Sequence, residues 1–348
     1  MNQENVPDIV PAPTQNDAIE RSILDRLIPY VEKALSDIFE CSGSDYSCNT
    51  TGTIQNPEAT ARSIFGILRS RKFCYLSKCR SEGYWPGIKP WMVNAAALRS
   101  PLGFYLDLGA GYHASLDPNN LPVTFDVGLG ELLVLRQMCR FRHLVSGIYE
   151  WGIRFTIVID NLCALLINDI PLNQTELYCA RLRELIRQMK LSDWIDVLVE
   201  SEETELEELK SACKGTARED VDISNSSIHN VSRFLGRTCS RSEAIKRLII
   251  HDQVIEASER LLDPLIQGVH LTQRASSNTM AFRAHPGADS RIQTGTVGLT
   301  LNRKKRVVPV LLTSRLFSEN NCTWVFLSKE IDRLIGKVLY VNLESRKR

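Results

Sequence analysis

Leu102-Gly-Phe-Tyr-Leu-Asp-Leu108 runs straight into Gly109-Ala-Gly-Tyr-His-Ala-Ser115, and Arg154-Phe-Thr-Ile-Val-Ile159 runs straight into Asp160-Asn161. Both are short apolar runs rich in aromatic or β-branched residues, closed by a polar or glycine loop, and they read as buried strands. Between them Gly130 to Phe141 has helical character, with Leu132, Leu133, Leu135 and Met138 as its inner face. Beyond them Thr175 to Met189 is a charged amphipathic helix and Trp194 to Val199 a third strand. Strand, helix, strand, helix, strand in this order predicts an α/β chain with a largely parallel, Rossmann-like sheet and helices on both faces. Ligands in such sheets gather beyond the carboxyl ends of the strands. The loops that begin at Gly109 and Asp160 are therefore the first places to look for chemistry.

Upstream, Ala18 to Phe39 carries Ile19, Ile23, Leu27, Val31, Leu35 and Ile38 at helical spacing, and Pro57 opens a second helix with Ile64, Ile67 and Leu68. Pro86, Pro90 and Pro101 punctuate the region that follows. Downstream, six glutamates in the nine positions from Glu200 to Glu208 mark a solvated helix start, and Asp220 to Asn230 reads as a loop. Arg241 to Ile266 is a long helix ending near Pro264, after which Thr279–Phe282, Gly295–Leu301, Arg306–Leu312 and Thr323–Leu327 read as strands. The expected organisation is a flexible leader over 1–16 and a single α/β domain over 17–348, with a β-rich closing segment at about 279–330.

The 348 residues contain 42 Lys and Arg against 41 Asp and Glu, so there is no broad basic field to hold a nucleic acid. Ten cysteines lie singly and irregularly; they read as reduced thiols, and Cys74 and Cys79 have no second pair with which to hold zinc. The polar, proline-containing first fifteen residues lack the apolar core of an export signal. The longest apolar stretch, Phe155 to Ile170, is broken by Asp160, Asn161, Asn168 and Asp169, which rules it out as a membrane span. The expectation is a cytoplasmic enzyme with neither membrane nor nucleic-acid partners and no metal.

Several side chains suit chemistry. His113 ends the glycine loop near Ser115 and Asp126, where an imidazole can act as a general acid or base at neutral pH. Asp160 follows the strand-like run Phe155-Thr-Ile-Val-Ile159 and suits an amine or a proton, whereas Asp126 and Glu131 equally suit capping of the helix near Gly130. Arg283, His285 and Arg291 form a basic cluster between expected strands, fit for a phosphate or carboxylate. Arg303-Lys-Lys-Arg306 marks an exposed turn. Asp107-Leu-Gly-Ala-Gly111 resembles the first motif of S-adenosylmethionine-dependent methyltransferases, although Pro118 and Pro122 interrupt the helix that such a motif needs.

Taken in order, three segments resemble the isocyanide (isonitrile) synthases of the pyoverdine/dityrosine biosynthesis family. The first is Pro101-Leu-Gly-Phe-Tyr-Leu-Asp-Leu-Gly-Ala-Gly-Tyr-His-Ala-Ser115, then Leu121-Pro122 and Asp126-Val-Gly-Leu-Gly-Glu131 before a leucine-rich helix. The second is Ile148-Tyr149 with Gly152-Ile-Arg-Phe-Thr-Ile-Val-Ile-Asp160-Asn161, and the third is Met280-Ala-Phe-Arg283-Ala-His285-Pro286. Ala114 or His113 stands where the family has a loop lysine, Asn161 replaces a glycine, and Leu312-Thr-Ser-Arg315 replaces Thr-Pro-Trp-His. The pattern is that of a distant member.

The resemblance implies an isonitrile synthase-like reaction of carbon–carbon lyase type in specialised metabolism. An amino acid's α-amino group becomes an isocyanide, ribulose 5-phosphate is the co-substrate that supplies the carbon, and no cofactor is needed. It implies His113, Asp160 and His285 as catalytic groups and Ser115, Asp126, Glu131, Arg283, Arg291 and Arg315 as substrate-binding ones. The implied partners are the amino acid, the sugar phosphate and a downstream tailoring oxygenase. A methyltransferase and a non-catalytic relative are the alternatives.

Overall fold

The computed structural model describes residues 29–41, 56–74, 82–108, 127, 129–159, 161, 165, 171–199, 228, 240–262, 268–272, 279–282, 297–301, 307–311, 322–326 and 338–342. Helix α1 spans 29–41, α2 Pro57–Leu68 and α3 Trp85–Leu98; strand β1 spans Leu102–Leu108, helix α4 Leu129–Ser146 and strand β2 Ile153–Ile159. Helix α5 spans Leu172–Gln188, β3 Ile195–Val199, α6 Arg241–Leu262, β4 Val269–Thr272 and β5 Thr279–Ala281. These five strands form one sheet in the order β3-β2-β1-β4-β5, with every neighbouring pair parallel. A second, mixed sheet follows in the order β7-β6-β9-β8, from β6 (Val297–Leu301), β7 (Val307–Leu311), β8 (Cys322–Phe326) and β9 (Val338–Asn342).

The α/β class and the β-rich closing segment therefore match the expectation. From β1 the chain steps outward through α4 to β2 and through α5 to β3, then returns past β1 to lay down β4 and β5 on its other side. The order reverses between β1 and β4, the type of position at which doubly wound sheets open a crevice at their carboxyl edge.

One face of the sheet is set by alternation. Leu102, Phe104, Leu106 and Leu108 of β1 and Ile153, Phe155, Ile157 and Ile159 of β2 are all buried. The register pairs them rung by rung, from Leu102 with Ile153 to Leu108 with Ile159. The Phe141 ring of α4 meets this face edge-on at 5.1 Å from Phe104 and 6.1 Å from Phe155, with Phe73 at 5.1 Å and Phe282 at 6.3 Å completing the cluster. Such offset and edge-to-face contacts add to the area that aromatic rings bury. Residues 131–139 of α4 are buried without a break, the mark of an interior helix. Its polar members have partners: Arg136 Nε donates to Asp37 of α1 at 2.7 Å, and Gln137 donates to the Lys72 carbonyl at 2.5 Å.

Differences from the sequence reading have local causes. The proline-punctuated region is a helix, because Pro86 lies in its first turn, where an N–H is unpaired anyway, and Pro90 forfeits one bond near that end. Trp85, Ile88, Met92 and Ala96 then form its buried stripe, and Arg99 closes it in a left-handed conformation at φ 53°. Strands β4 and β9 were not foreseen; β4 has only four residues and gains its partners from β1 and β5. Helix α5 starts three residues earlier than Thr175, behind Pro171, and β8 lies one residue earlier than expected. Residues 18–28 of the first expected helix, the 1–16 leader and the Glu200–Glu208 run lie outside the described residues. No helix among the described residues is long and apolar enough to cross a membrane.

The buried Tyr149 ties the end of α4 to the start of β1 by donating its hydroxyl to the Ser100 carbonyl. Burial pushes its phenol up to about 12. The neutral form is the one the fold favours, so this contribution is complete below about pH 10, where the phenol is protonated in both folded and unfolded chains. It is lost as pH rises toward the folded value, and amounts to at most about 3 kcal/mol. Tyr149→Phe is expected to cost about 1 to 2 kcal/mol at neutral pH, through the unpaired carbonyl. Between pH 10 and 12 the gap between variant and wild type should shrink, as read by urea unfolding at each pH; a constant gap would contradict this account.

Candidate functional site

A parallel sheet gathers all its strand ends at one edge, and the register shows which ends are level. Leu108 pairs with Ile159, while Leu106 pairs with Leu271 and Leu271 with Met280. Counting two residues on from Met280 puts Phe282 on the same rung as Leu108 and Ile159. The β2 and β5 ends are three strand spacings apart in the order β2-β1-β4-β5, or about 14 Å. Asp160 and Arg283 are the next residues in the chain after Ile159 and Phe282. The early and late stretches singled out in the sequence thus leave the same sheet edge, on either side of the β1–β4 switch.

The β5 end is held firmly. Phe282 is buried, its backbone bridges Cys74, and its ring stacks on Phe73 at 6.2 Å. The point from which the chain continues to Arg283 is therefore anchored in the same aromatic cluster that seats α4 on the sheet.

Of the candidate site residues, Glu131 is described. His113, Ser115, Asp126, Asp160, Arg283, His285, Arg291 and Arg315 lie outside the described residues. Glu131 is the third residue of α4 and only 4% exposed. A carboxylate in a first helical turn is favoured by the helix dipole. Its Oε1 accepts a hydrogen bond of 3.0 Å from the buried Tyr178 hydroxyl of α5. Because α4 and α5 each leave a strand's carboxyl end and lead back to the opposite edge, their amino ends both stand at the candidate edge.

Sequence reasoning did not single out Tyr178 or Thr175. Both belong to the buried stripe Thr175, Tyr178, Cys179, Leu182, Leu185 and Ile186 of α5, where a hydroxyl is read as part of an amphipathic face. Asn161, which departs from the family pattern, is 4% exposed just beyond β2. Glu131, Asn161 and Thr175 make up three of the five buried polar or charged residues described; the other two, Arg136 and Gln137, bond to the Asp37 carboxylate and the Lys72 carbonyl. Among the described residues no three His, Cys, Asp or Glu side chains gather as a metal-ligand set.

No family model matches the chain, and no curated protein matches it. Among solved structures, the chain is similar to the PvcA protein from Pseudomonas aeruginosa, with a TM-score of 0.55 and 14% identity. The match covers 81% of this chain and 99% of that one. At this identity the likeness establishes the shared α/β fold.

Proposed function

We propose that this protein is an isonitrile synthase-like enzyme acting at the carboxyl edge of the five-stranded sheet. The observation that carries the reading is the convergence there of Ile159 and Phe282, which brings the two stretches resembling the isocyanide synthases to one edge of one sheet. A fold shared with PvcA, of the isonitrile synthase-like group, supports the same general family.

In this reading an amino acid's α-amino group condenses with the C2 carbonyl of ribulose 5-phosphate, losing water to form an imine. Breaking the C1–C2 and C2–C3 bonds leaves C2 on nitrogen as the isocyanide, with C1 departing as formaldehyde and C3 to C5 as hydroxyacetone and inorganic phosphate, so that no oxidant is needed. Two anionic ends must be held, one phosphate and one carboxylate. Arg283 and Arg291 take these roles, since a guanidinium presents two parallel donors to either group; Arg315 and Ser115 add further donors. Asp160 holds the substrate amine, and His113 and His285 move protons as the imine forms and the carbon bonds break. Asp126 and Glu131 support the loop that follows β1. With His113 or Ala114 in place of the family's loop lysine, an imidazole takes over proton transfer there, and a changed substrate is part of the proposal.

Binding separates this reading from its rivals. Isothermal titration is expected to show saturable binding of ribulose 5-phosphate and none of S-adenosylmethionine. Saturable binding of S-adenosylmethionine would replace the reading with methyl transfer through the loop from Asp107 to Gly111, and failure of the sugar phosphate to bind would leave a non-catalytic relative.

A further inference from the structure

Thr175 is 3% exposed, and its Oγ1 is buried without a hydrogen-bond partner among the described residues. Buried hydroxyls are rarely left in that state, because the lost hydration is not recovered. A helical threonine ordinarily bonds back to the carbonyl one turn earlier, yet here the Pro171 carbonyl accepts from the backbone N–H groups of Gln174 at 3.0 Å and Thr175 at 3.3 Å. Thr175 lies three residues before Tyr178 on the same buried stripe, so the two side chains are neighbours on one helix face. Tyr178 in turn holds Glu131. An unfilled hydroxyl, a phenol and a carboxylate thus fall in the amino-terminal halves of α4 and α5, whose starts stand at the carboxyl edge of the sheet.

We infer that Thr175, with Glu131 and Tyr178, forms a subsite for the hydroxyl-bearing carbon chain of a sugar substrate. The Glu131 carboxylate repels a phosphate or carboxylate end, which excludes the anionic groups of either substrate. Thr175 both donates and accepts, as sugar hydroxyls do, whereas the carboxylate accepts from a second hydroxyl. Tyr178 is a positioning residue that fixes the carboxylate. The choice of ribulose 5-phosphate as that sugar rests on the proposed function.

The test compares wild type, Thr175→Val and Thr175→Ser by thermal unfolding and by titration with ribulose 5-phosphate and, separately, inorganic phosphate. Thr175→Val keeps the branched shape and removes the hydroxyl. It is expected to weaken ribulose 5-phosphate binding about tenfold, the equivalent of one lost hydrogen bond, to leave phosphate binding unchanged and not to lower the melting temperature. Thr175→Ser should restore most of the affinity. Unchanged sugar phosphate binding in Thr175→Val overturns the subsite, as does an equal loss for inorganic phosphate, a lowered melting temperature, or a wild type that binds no sugar phosphate. If Thr175-dependent binding is found but no isocyanide forms, the reaction assignment fails and the subsite stands. If isocyanide forms and Thr175→Val has an unchanged KM for the sugar phosphate, the subsite fails and the reaction stands.

Discussion

Asp160→Ala and Arg283→Ala are each expected to abolish isocyanide formation, by a factor of about a thousand or more, while the melting temperature stays near that of the wild type. The magnitude follows from the roles proposed. Removing a group that orients a reacting amine, or one that clamps an anion in the transition state, typically costs two to three powers of ten or more. The unchanged fold follows from position. The residues that bury the two strand ends are Ile159 and Phe282, both in the core, and the substitutions fall one residue beyond each. Turnover is read by mass spectrometry of the product and folding by circular dichroism. Unchanged activity in both variants would remove these residues from the site.

Gly268→Ala is expected to destabilise the fold by about 3 kcal/mol or more, the upper end of what overpacking costs. A β-carbon at Gly268 would lie 2.4 Å from the Gly103 carbonyl oxygen and 2.8 Å from its carbonyl carbon, and both are main-chain atoms that no side-chain rotation can move. Gly268 precedes β4, and Gly103 is the second residue of β1, so the clash falls at the β1–β4 switch on which the candidate site depends. The variant should therefore lose substrate binding along with stability. Urea unfolding of wild type and variant checks the energy; a stability within about 0.5 kcal/mol of wild type, the ordinary effect of a neutral surface change, would show that the two strands can separate without cost.

Why some of this was legible in the sequence, and some not, follows from the range over which each feature is determined. Strands β1 and β2 announce themselves because Leu102 to Leu108 and Ile153 to Ile159 carry their apolar residues locally, and each leads into a polar loop. Gly103 inside β1 signals a close backbone approach, but the partner, Gly268, is set by a crossover far along the chain. Strand β4 is too short to be read alone, since its pairing comes from β1 and β5. Helix α3 hides behind two prolines that its first turns tolerate.

The candidate site shows the same division. Glu131 stands out because a carboxylate precedes a leucine-rich helix, while Thr175 and Tyr178 are inconspicuous within a stripe that otherwise reads as core. Their connection to Glu131 arises only once α4 and α5 lie side by side on parallel strands. His113 stands out at the end of the glycine loop, Asp160 behind an apolar run, and Arg283 within a basic cluster between expected strands. For Asp160 and Arg283, the level ends of β2 and β5 supply the reason why residues more than a hundred positions apart belong together.

The proposed reaction joins an amino acid, at this edge, to a carbon drawn from a pentose phosphate. Uniformly ¹³C-labelled ribulose 5-phosphate, incubated with the full-length protein and each amino acid in turn, tests it by mass spectrometry. The account predicts an isocyanide, or the formamide produced by its hydration, that carries a single labelled carbon on the amino acid's nitrogen. Absence of labelled product with every amino acid, from protein that is folded and binds the sugar phosphate, would contradict it.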